Sequence, residues 1–359
     1  MKKTVTSLLS VGLIVSASSG VQASTDLEQN HPFYDEASYL INAGVIKGFP
    51  DGSIRLSNQV TREQTAIMLG RLLELPTTQA TSGFKDVAAG SEASPYIAQL
   101  EEAGVINGFP DGTFRPKSVL TRGQMALVLD RAFDLQSAIP SAFADTQTTA
   151  ELSEAVSSLE ANLVTNGYPD GTFRPKTEIT RGQFSAFLAR TVEPGFKNEV
   201  RASNPNTFLR DLSKTYTYSY DGELVSETFA FSEPFSVDEP VGFAWISEFA
   251  DGSIFPYYEH ETKAGLAHSD PYDDSYLVIK YPVKAGSSFT YTYWDVDYTG
   301  TYTNTDVQVT TPYGTFDHAV EVTEDGIKYY YVKGFGLVKE VDTDGTVYSE
   351  LVSIEESVN

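Results

Sequence analysis

Apolar residues recur at helical spacing in three separate stretches of the first 200 residues. In the middle stretch they occupy positions i, i+3, i+4, i+7 and i+8, which is the pattern of an amphipathic helix. The residues are Met125, Val128, Leu129, Ala132 and Phe133. The stripe recurs at Met68, Leu69, Leu72 and Leu73, and again at Phe184, Phe187, Leu188, Thr191 and Val192. The pattern predicts three similar helices at regular intervals.

Beyond residue 200 the apolar pattern changes to the alternation of β-strands. Residues 215–220 alternate, turn at Asp221-Gly222 and resume over 223–231, and further Asp-Gly turns stand at 325–326 and 344–345. This half holds 17 of the 21 tyrosines and both tryptophans, residue types that are enriched in sheets. Other predicted strands are 276–283, 289–294, 307–311, 328–332 and 346–354. The pattern predicts an all-β antiparallel sandwich or half-barrel of about eight to ten strands.

A polar loop precedes each of the three helices at a constant distance. Residues 48–52, 108–112 and 167–171 share the sequence Gly-(Phe/Tyr)-Pro-Asp-Gly, with 60 and 59 residues between copies. Thirteen residues after the first Gly comes Thr-Arg-(Glu/Gly)-Gln, in which Thr and Gln form a capping box. Each unit is predicted as helix–loop–helix, and units of this kind bury their apolar faces against their neighbours.

The first helix of each unit is predicted to end in a left-handed cap. Gly104 occupies that place in the second copy. The third copy has Asn162-Leu163 where the others have Ala-Gly. Asn is the next-best residue for the left-handed conformation, so we expect the helix to end there too.

These residues resemble the S-layer homology (SLH) domain, whose members carry three tandem units with the same loop and helix start. The resemblance predicts repeats at 30–75, 83–135 and 142–193. It implies a pseudo-threefold all-α bundle whose grooves hold a secondary cell-wall polysaccharide, often carrying ketal-linked pyruvate. The implied polysaccharide-binding residues are Arg62, Arg122 and Arg181 with Gly48, Phe49, Asp51, Gly108, Phe109, Asp111, Gly167, Tyr168 and Asp170. The family commonly has Glu where this chain has Gln64, Gln124 and Gln183; Gln keeps the capping role without the carboxylate.

Arginine suits an anionic ligand of this kind. A guanidinium grips a carboxylate through two parallel hydrogen bonds, and an Arg just past an N-cap lies near the positive end of its helix. The alternative is that the three arginines pair with the loop carboxylates of Asp51, Asp111 and Asp170 and staple each unit; both roles can coexist. A second set follows the loops, and a solvated or loop-bracing charge is favoured for its members, Arg55, Arg115 and Arg174.

Composition narrows the location and the partners. Two lysines, an apolar run from Leu8 to Val15 and small residues up to Ala23 predict a secretory signal peptide over 1–23. The chain has no Cys, and no other segment approaches the ~20 apolar residues of a membrane span. Of the net charge of −24, most lies in residues 201–359, with 9 Lys+Arg against 27 Asp+Glu. We expect a secreted protein of a Gram-positive-type cell wall or surface layer, with no cofactor and no nucleic-acid partner.

The acidic half, residues 207–359, follows a predicted linker at 194–206. It weakly resembles β-domains of secreted Gram-positive proteins of unassigned role, which implies a meandering sheet. His260, between two Glu residues, is a poor zinc candidate, and residues 342–345 suit a hairpin better than a calcium loop. The alternating tyrosines suit either a sugar-stacking face or cross-strand packing, and packing is favoured.

Several functions stay open for this half. Non-catalytic display of the β-domain at the cell wall is favoured, because no catalytic constellation stands out. The alternatives are a wall-anchored glycan-active enzyme or carbohydrate-binding protein, and a self-assembling surface-layer component. The sequence leaves the oligomeric state open.

Overall fold

The computed structural model describes residues 26–78, 81–135, 137, 139–232, 242–270 and 275–357. The expected signal peptide, residues 1–23, lies outside the described residues. The chain divides into two compact units. The helical unit comprises the chain up to Leu135 with Ala144–Leu159 and Gly167–Glu193, and the β unit comprises Gln136–Phe143, Glu160–Asn166 and Pro194–Asn359.

The three repeats form three helix–loop–helix pairs, as the apolar stripes predict. In chain order the helices are α1 Tyr34–Asn42, α2 Arg62–Leu72, α3 Ala93–Glu102, α4 Arg122–Phe133, α5 Ala150–Ala161 and α6 Arg181–Val192. Each second helix begins after a Thr whose side chain accepts from the Gln amide, while the Gln side chain accepts from the Thr amide. The predicted capping boxes are therefore confirmed in all three copies. Within the described residues, no helix is long and apolar enough to cross a membrane.

A closed ring of backbone hydrogen bonds ties the three repeats together. The amide of Val60 donates to Ile179 O at 3.0 Å, that of Leu120 to Val60 O at 3.0 Å, and that of Ile179 to Leu120 O at 3.1 Å. All three side chains are buried. Each repeat thus donates to one neighbour and accepts from the other, which produces a pseudo-threefold arrangement and satisfies buried backbone groups.

The first helices end where the sequence predicts, although the left-handed residue of the third copy differs. Gly44 and Gly104 have φ of 73° and 76°. In the third copy Leu163 has the left-handed conformation, with φ of 58°, so the position following Asn162 takes the place of the Gly. The left-handed conformation therefore follows the position in the repeat, even though Asn adopts this conformation more readily than Leu.

The expected linker contains a helix, α7 Pro194–Ala202. The prediction failed here because its apolar residues are few. Val200 and Lys197 are buried, and Lys197 Nζ donates to the carbonyl oxygen of Asn162 at 2.8 Å. The helix belongs to the β unit.

Twelve strands form a single antiparallel sheet in the described part of the β unit. They are β1 Lys214–Tyr220, β2 Glu223–Ser232, β3 Gly242–Phe249, β4 Ile254–Thr262, β5 Gly265–Ser269, β6 Tyr276–Lys280, β7 Ser288–Tyr293, β8 Val296–Thr310, β9 Thr315–Glu324, β10 Ile327–Val332, β11 Gly336–Asp342 and β12 Val347–Glu356.

The sheet is barrel-like, and the expected sandwich is wrong. The strand order β6-β5-β4-β3-β2-β1-β12-β11-β10-β9-β8-β7 is continuous, so two six-stranded meanders join where β1 pairs with β12. Its two end strands approach each other, since the Tyr276 ring lies 4.8 Å from that of Tyr293 and 5.9 Å from that of Tyr291. Tyr302 of β8 also donates to the carbonyl oxygen of Lys280 at 2.6 Å. Closing one sheet removes the exposed edges that a sandwich would leave.

The interior of the β unit combines aromatic packing with buried charge. Tyr216 and Tyr218 are 1% and 4% exposed, so the alternating stripe of β1 packs inward up to Tyr220. Arg210, 2% exposed, pairs with Glu227 and with Glu259. The favoured packing role of these tyrosines is thus the one that the structure supports.

Candidate functional site

The Gly-(Phe/Tyr)-Pro-Asp-Gly loops have the same closed conformation in all three repeats. In the first, Phe49 N donates to Ser53 O at 2.8 Å and Gly52 N donates to Phe49 O at 2.8 Å. Gly52 has φ of 80°, a conformation that glycine adopts without strain. Asp51 accepts from the amide and hydroxyl of Ser53. The same bonds recur in the loops at 108–112 and 167–171.

The loop carboxylates pair with the arginines that follow the loops. We call Arg55, Arg115 and Arg174 the outer arginines. Their Nη2 atoms lie 2.8, 3.2 and 2.8 Å from the loop Asp of the same repeat. Together with the Thr113 and Thr172 hydroxyls, which contribute most, this pairing lowers the pKa of Asp111 and Asp170 to about 2. The favoured loop-bracing interpretation of the outer arginines therefore agrees with the structure.

A second carboxylate holds each outer arginine in a strained backbone conformation, and sequence reasoning missed it. Arg55, Arg115 and Arg174 have φ of 60°, 58° and 59°, which is uncommon for residues other than glycine. In the second repeat Asp86 accepts from Phe114 N and from Arg115 N, both at 2.8 Å. Asp26 and Asp145 do the same in the other repeats. The sequence signal was a constant separation of 28 residues between the Asp and its first donor.

The arginines of the Thr-Arg motif reach across to a neighbouring repeat. We call Arg62, Arg122 and Arg181 the inner arginines. Arg62 Nε donates to Phe114 O and its Nη2 to Asn107 O, both at 2.8 Å. Arg122 Nε donates to Phe173 O at 2.8 Å, and Arg181 Nη2 to Lys47 O at 2.9 Å. Inner arginines thus connect the first repeat to the second, the second to the third, and the third to the first.

Each loop aromatic ring contacts one inner and one outer guanidinium. The Phe109 ring centroid lies 3.7 Å from the guanidinium carbon of Arg115 and 5.2 Å from that of Arg62. Tyr168 has the same relation to Arg174 at 3.8 Å and to Arg122 at 5.1 Å. Phe49 lies 4.0 Å from Arg55 and 5.5 Å from Arg181. At each of three similar sites, an inner and an outer guanidinium therefore contact one aromatic ring, and we call these three sites the grooves.

The inner arginines lack a carboxylate partner. Within the described residues none of the three forms an ion pair, whereas each outer arginine does. Burial and the nearby charge of Arg115 lower the pKa of Arg62. Burial also lowers the pKa of Arg181, to about 10. These side chains still carry a full charge at neutral pH. Arg122 and Arg181 are 5% exposed, and Arg62 is half-buried.

The helix starts themselves are closed to a ligand. The amides of Arg62 and Glu63 donate to Ser118 O and Pro116 O of the next repeat, at 2.9 Å each. The same pairs of bonds occupy the starts of α4 and α6. The backbone amides at these helix starts are therefore already bonded, and the guanidinium groups are the donors that remain beside the loops.

Comparison with known proteins agrees with this threefold geometry. Residues 25–66, 83–126 and 142–185 each match the family model of the S-layer homology domain. The chain carries three S-layer homology domains. The matches enclose the loops, both arginine sets and the capping boxes of all three repeats.

Relatives of this chain include surface proteins of several kinds. It is 30% identical over 164 residues to a cellulosome-anchoring protein of Acetivibrio thermocellus, covering 43% of this chain and 36% of the relative. It is 28% identical over 193 residues to the S-layer protein sap of Bacillus anthracis, covering 52% and 23%. An uncharacterized cell wall amidase of Bacillus anthracis is 31% identical over 197 residues, covering 53% and 36%. The chain thus spans about a third or less of these relatives' length. Its SLH domains and these relatives identify it as a protein of the Gram-positive cell surface.

A groove in the described part of the SLH domains lies beside the first loop. It has a volume of about 760 Å³, and its lining includes Lys47, Gly90, Ser91, Glu92 and Tyr96. No inner arginine lines it. This groove therefore does not coincide with the arginine pairs.

The surroundings of the candidate residues of the β unit favour a structural role for them. His260 is 7% exposed, and burial lowers its pKa to about 4, so the ring is neutral. Gly345 N donates to Asp342 O at 3.0 Å and Asp342 N to Thr346 O at 2.8 Å, which confirms a hairpin turn between β11 and β12. In the described residues no group of three or more His, Cys, Asp or Glu is arranged to hold a metal ion.

Proposed function

We propose that the three SLH domains attach this protein non-covalently to the cell wall by binding the carboxylates of an anionic, pyruvylated secondary cell-wall polysaccharide. The observation that carries the proposal is that Arg62, Arg122 and Arg181 form no ion pair within the described residues, whereas the outer arginines do. A carboxylate or ketal pyruvate at each groove would supply the missing partner and would meet donors that are already oriented.

The paired arrangement of the arginines supports this ligand chemistry. An inner and an outer guanidinium beside one ring repel each other, and a bound anion relieves that repulsion. The aromatic ring offers an apolar surface to a sugar next to the charge. Arg62 is the best exposed of the inner arginines, so we expect its groove, which Phe109 and Arg115 complete, to bind most directly.

Salt dependence should be modest. The net charge of −24 repels an anionic polymer at long range, so attraction depends on short contacts, which salt screens less than distant ones. The acidic β unit then contributes no attraction for this polymer. We assign it a display role in which the SLH domains hold it at the cell wall.

Co-sedimentation of the full chain with wall sacculi tests the proposal. Sacculi are compared before and after hydrofluoric acid removes the phosphodiester-linked polymer. We expect binding to intact sacculi and its loss after stripping. Equal binding to stripped sacculi would place the ligand in peptidoglycan and refute the proposal. The full chain is required because Glu160–Asn166 belongs to the β unit, so a cut near residue 200 would separate this segment from the strands.

A further inference from the structure

Exposed apolar side chains of the β unit concentrate on its hairpin tips. In the described residues, eight large hydrophobic side chains are exposed. Seven of them lie in or beside the β1–β2, β3–β4 and β7–β8 turns or at the start of β12: Tyr220, Leu224, Ile254, Phe255, Trp294, Val296 and Tyr348. Only Tyr313 lies in a turn at the other end of the strands.

Strand register places these tips at one end of the sheet. Asp221 N donates to Tyr348 O at 3.0 Å, so the β1–β2 turn lies beside the start of β12. Val225 pairs with Phe249, which brings the β3–β4 turn alongside. From β12 through β11, β10 and β9 to β8, four residue pairs keep the β11–β12, β9–β10 and β7–β8 turns at this end: Val341–Val347, Ile327–Asp342, Ile327–Glu324 and Thr301–Thr323. We call this end the rim and define it as residues 219–224, 249–255, 293–297, 324–327 and 342–348.

All charged side chains of the rim are acidic. Its segments contain no Lys or Arg. They contain nine carboxylates: Asp221, Glu223, Asp251, Asp295, Asp297, Glu324, Asp325, Asp342 and Asp344. None of the nine forms an ion pair within the described part of the chain. Lysines gather instead at the other end of the strands, where turns carry Lys263, Lys284 and Lys333. Carboxylates occur at both ends of the strands, whereas the rim alone has no Lys or Arg among its residues.

Trp294 is the most exposed of the apolar residues and has an unusual backbone. It stands at the β7–β8 tip, 64% exposed, with φ of 52°. Asp295 also has a positive φ, of 58°, and Tyr293 pairs with Val296, so the two-residue hairpin turn itself holds Trp294 in this conformation and projects it at the tip. An aromatic side chain held out at a tip loses little entropy when a partner covers it, which is a property of interface hot spots.

We propose that the rim is a docking surface for a basic, amphipathic segment of another protein. Clustered exposed apolar residues mark interaction surfaces, and unpaired carboxylates around them favour a partner that carries Lys or Arg beside apolar side chains. An anionic polymer is repelled by the same carboxylates. A second copy of the chain, with its net charge of −24, is opposed by mutual repulsion.

Binding of a synthetic peptide of Leu and Lys in amphipathic order tests the inference on the full chain. The two tryptophans make this simple, because Trp245 is buried and Trp294 is exposed, so acrylamide quenching reports mainly on the rim. We expect the peptide to protect Trp294 from quenching and to bind less tightly as salt rises. A peptide with Ser in place of Lys should bind at least about tenfold more weakly.

Matched variants separate a rim site from bulk charge. The rim variant carries Asp221→Asn, Glu223→Gln, Asp251→Asn and Asp344→Asn; Asn keeps the side-chain acceptor that Asp251 and Asp344 offer to Ser253 N and Thr346 N. The control carries Asp306→Asn, Asp317→Asn, Glu355→Gln and Glu356→Gln, the same charge change away from the rim. We expect about a tenfold loss of affinity in the rim variant and little change in the control.

Three outcomes would overturn the inference. Equal losses in the rim variant and the control would mean that only net charge matters. Equal binding of the Lys and Ser peptides, or protection of Trp294 by a neutral glycan in their place, would identify a different class of partner. Self-association that removes the quenching of Trp294 at low protein concentration would assign the rim to a second copy.

Discussion

Arg62 Nε donates to the carbonyl oxygen of Phe114 at 2.8 Å, so the second helix of the first SLH domain is held by the loop of the second. A carbonyl oxygen satisfies the donor but carries no net charge. The guanidinium is therefore oriented and partly desolvated, and within the described residues no carboxylate forms an ion pair with it, which is the state that favours a tight anion contact.

Replacing Arg62 should weaken wall binding more than it weakens the fold. Arg62→Ala removes the best exposed inner guanidinium, and Arg62→Lys keeps the charge but loses the two-pronged contact. We expect sacculus binding to fall about tenfold for Ala and somewhat less for Lys. Binding isotherms with intact sacculi and thermal unfolding by circular dichroism measure the two effects.

Arg131→Gln is the matched control for Arg62. Arg131 lies on α4 and pairs with Glu151, so its loss changes net charge equally without touching a groove. Unchanged binding of the Arg62 variants, or an equal loss in Arg131→Gln, would contradict a direct role for Arg62.

Arg115→Gly should separate loop bracing from binding. Arg115 has φ of 58°, and glycine adopts this conformation without strain whereas Ala does not. The exposed ion pair with Asp111 contributes little. We expect the Gly variant to be about 1 kcal/mol more stable to denaturant than Arg115→Ala. A Gly variant less stable than the Ala variant would show that the left-handed conformation is not the source of strain.

Both Arg115 variants should bind sacculi more weakly than the parent protein. Each removes one of the two guanidinium groups beside Phe109. If the Gly variant binds as well as the parent, the outer arginines act only as braces and the ligand contact belongs to the inner set.

The sequence predicted the SLH domains well because their signals are local. The Thr-Gln capping boxes, the left-handed Gly44 and Gly104, and the apolar stripes each depend on a few neighbouring residues. The ring through Val60, Leu120 and Ile179 joins residues about 60 positions apart and has no local signal.

Predictions for the β unit were less complete for the same reason. Asp221-Gly222 and Asp325-Gly326 form turns with both residues at positive φ, as Asp-Gly hairpins require. Strands β3, β4, β5, β9 and β11 were not predicted, although Asp-Gly pairs at 251–252, 325–326 and 344–345 adjoin four of them. The pairing of β1 with β12 joins the two meanders into one sheet, and the barrel-like closure comes from the approach of the end strands β6 and β7. Both contacts join segments far apart in the sequence and have no local signal.

Glu160→Gln should stabilise the β unit at high pH and not at low pH. Glu160 is 4% exposed, and burial raises its pKa from 4.5 to about 7. Because the pKa is higher in the folded state, the folded protein has its full stability below pH 4.5, where Glu160 is protonated in both states. This contribution to the unfolding free energy is lost as pH rises towards 7, where folding must bury an ionised carboxylate. We expect the variant to gain about 2–3 kcal/mol at pH 8 and almost nothing at pH 4.5, measured by urea unfolding of both proteins. Equal differences at both pH values would refute this titration.

Arg210→Met should destabilise the β unit severely, because it leaves the buried carboxylates of Glu227 and Glu259 without their cation. We expect a loss of about 3–5 kcal/mol in unfolding free energy. A triple variant that adds Glu227→Gln and Glu259→Gln removes those charges and should recover most of that loss. Failure of the triple variant to recover would indicate that Arg210 acts by packing against Trp245, whose ring lies 3.7 Å from its guanidinium carbon.

Capture of a wall-polymer carboxylate by the inner arginines is tested by calorimetric titration of the full chain with purified secondary cell-wall polysaccharide, before and after mild acid removes its ketal-linked pyruvate. We expect saturable binding of the intact polymer and a loss of affinity of at least about tenfold without the pyruvate carboxylate. Equal affinity for both polymers would contradict carboxylate capture, even if the protein still bound the wall.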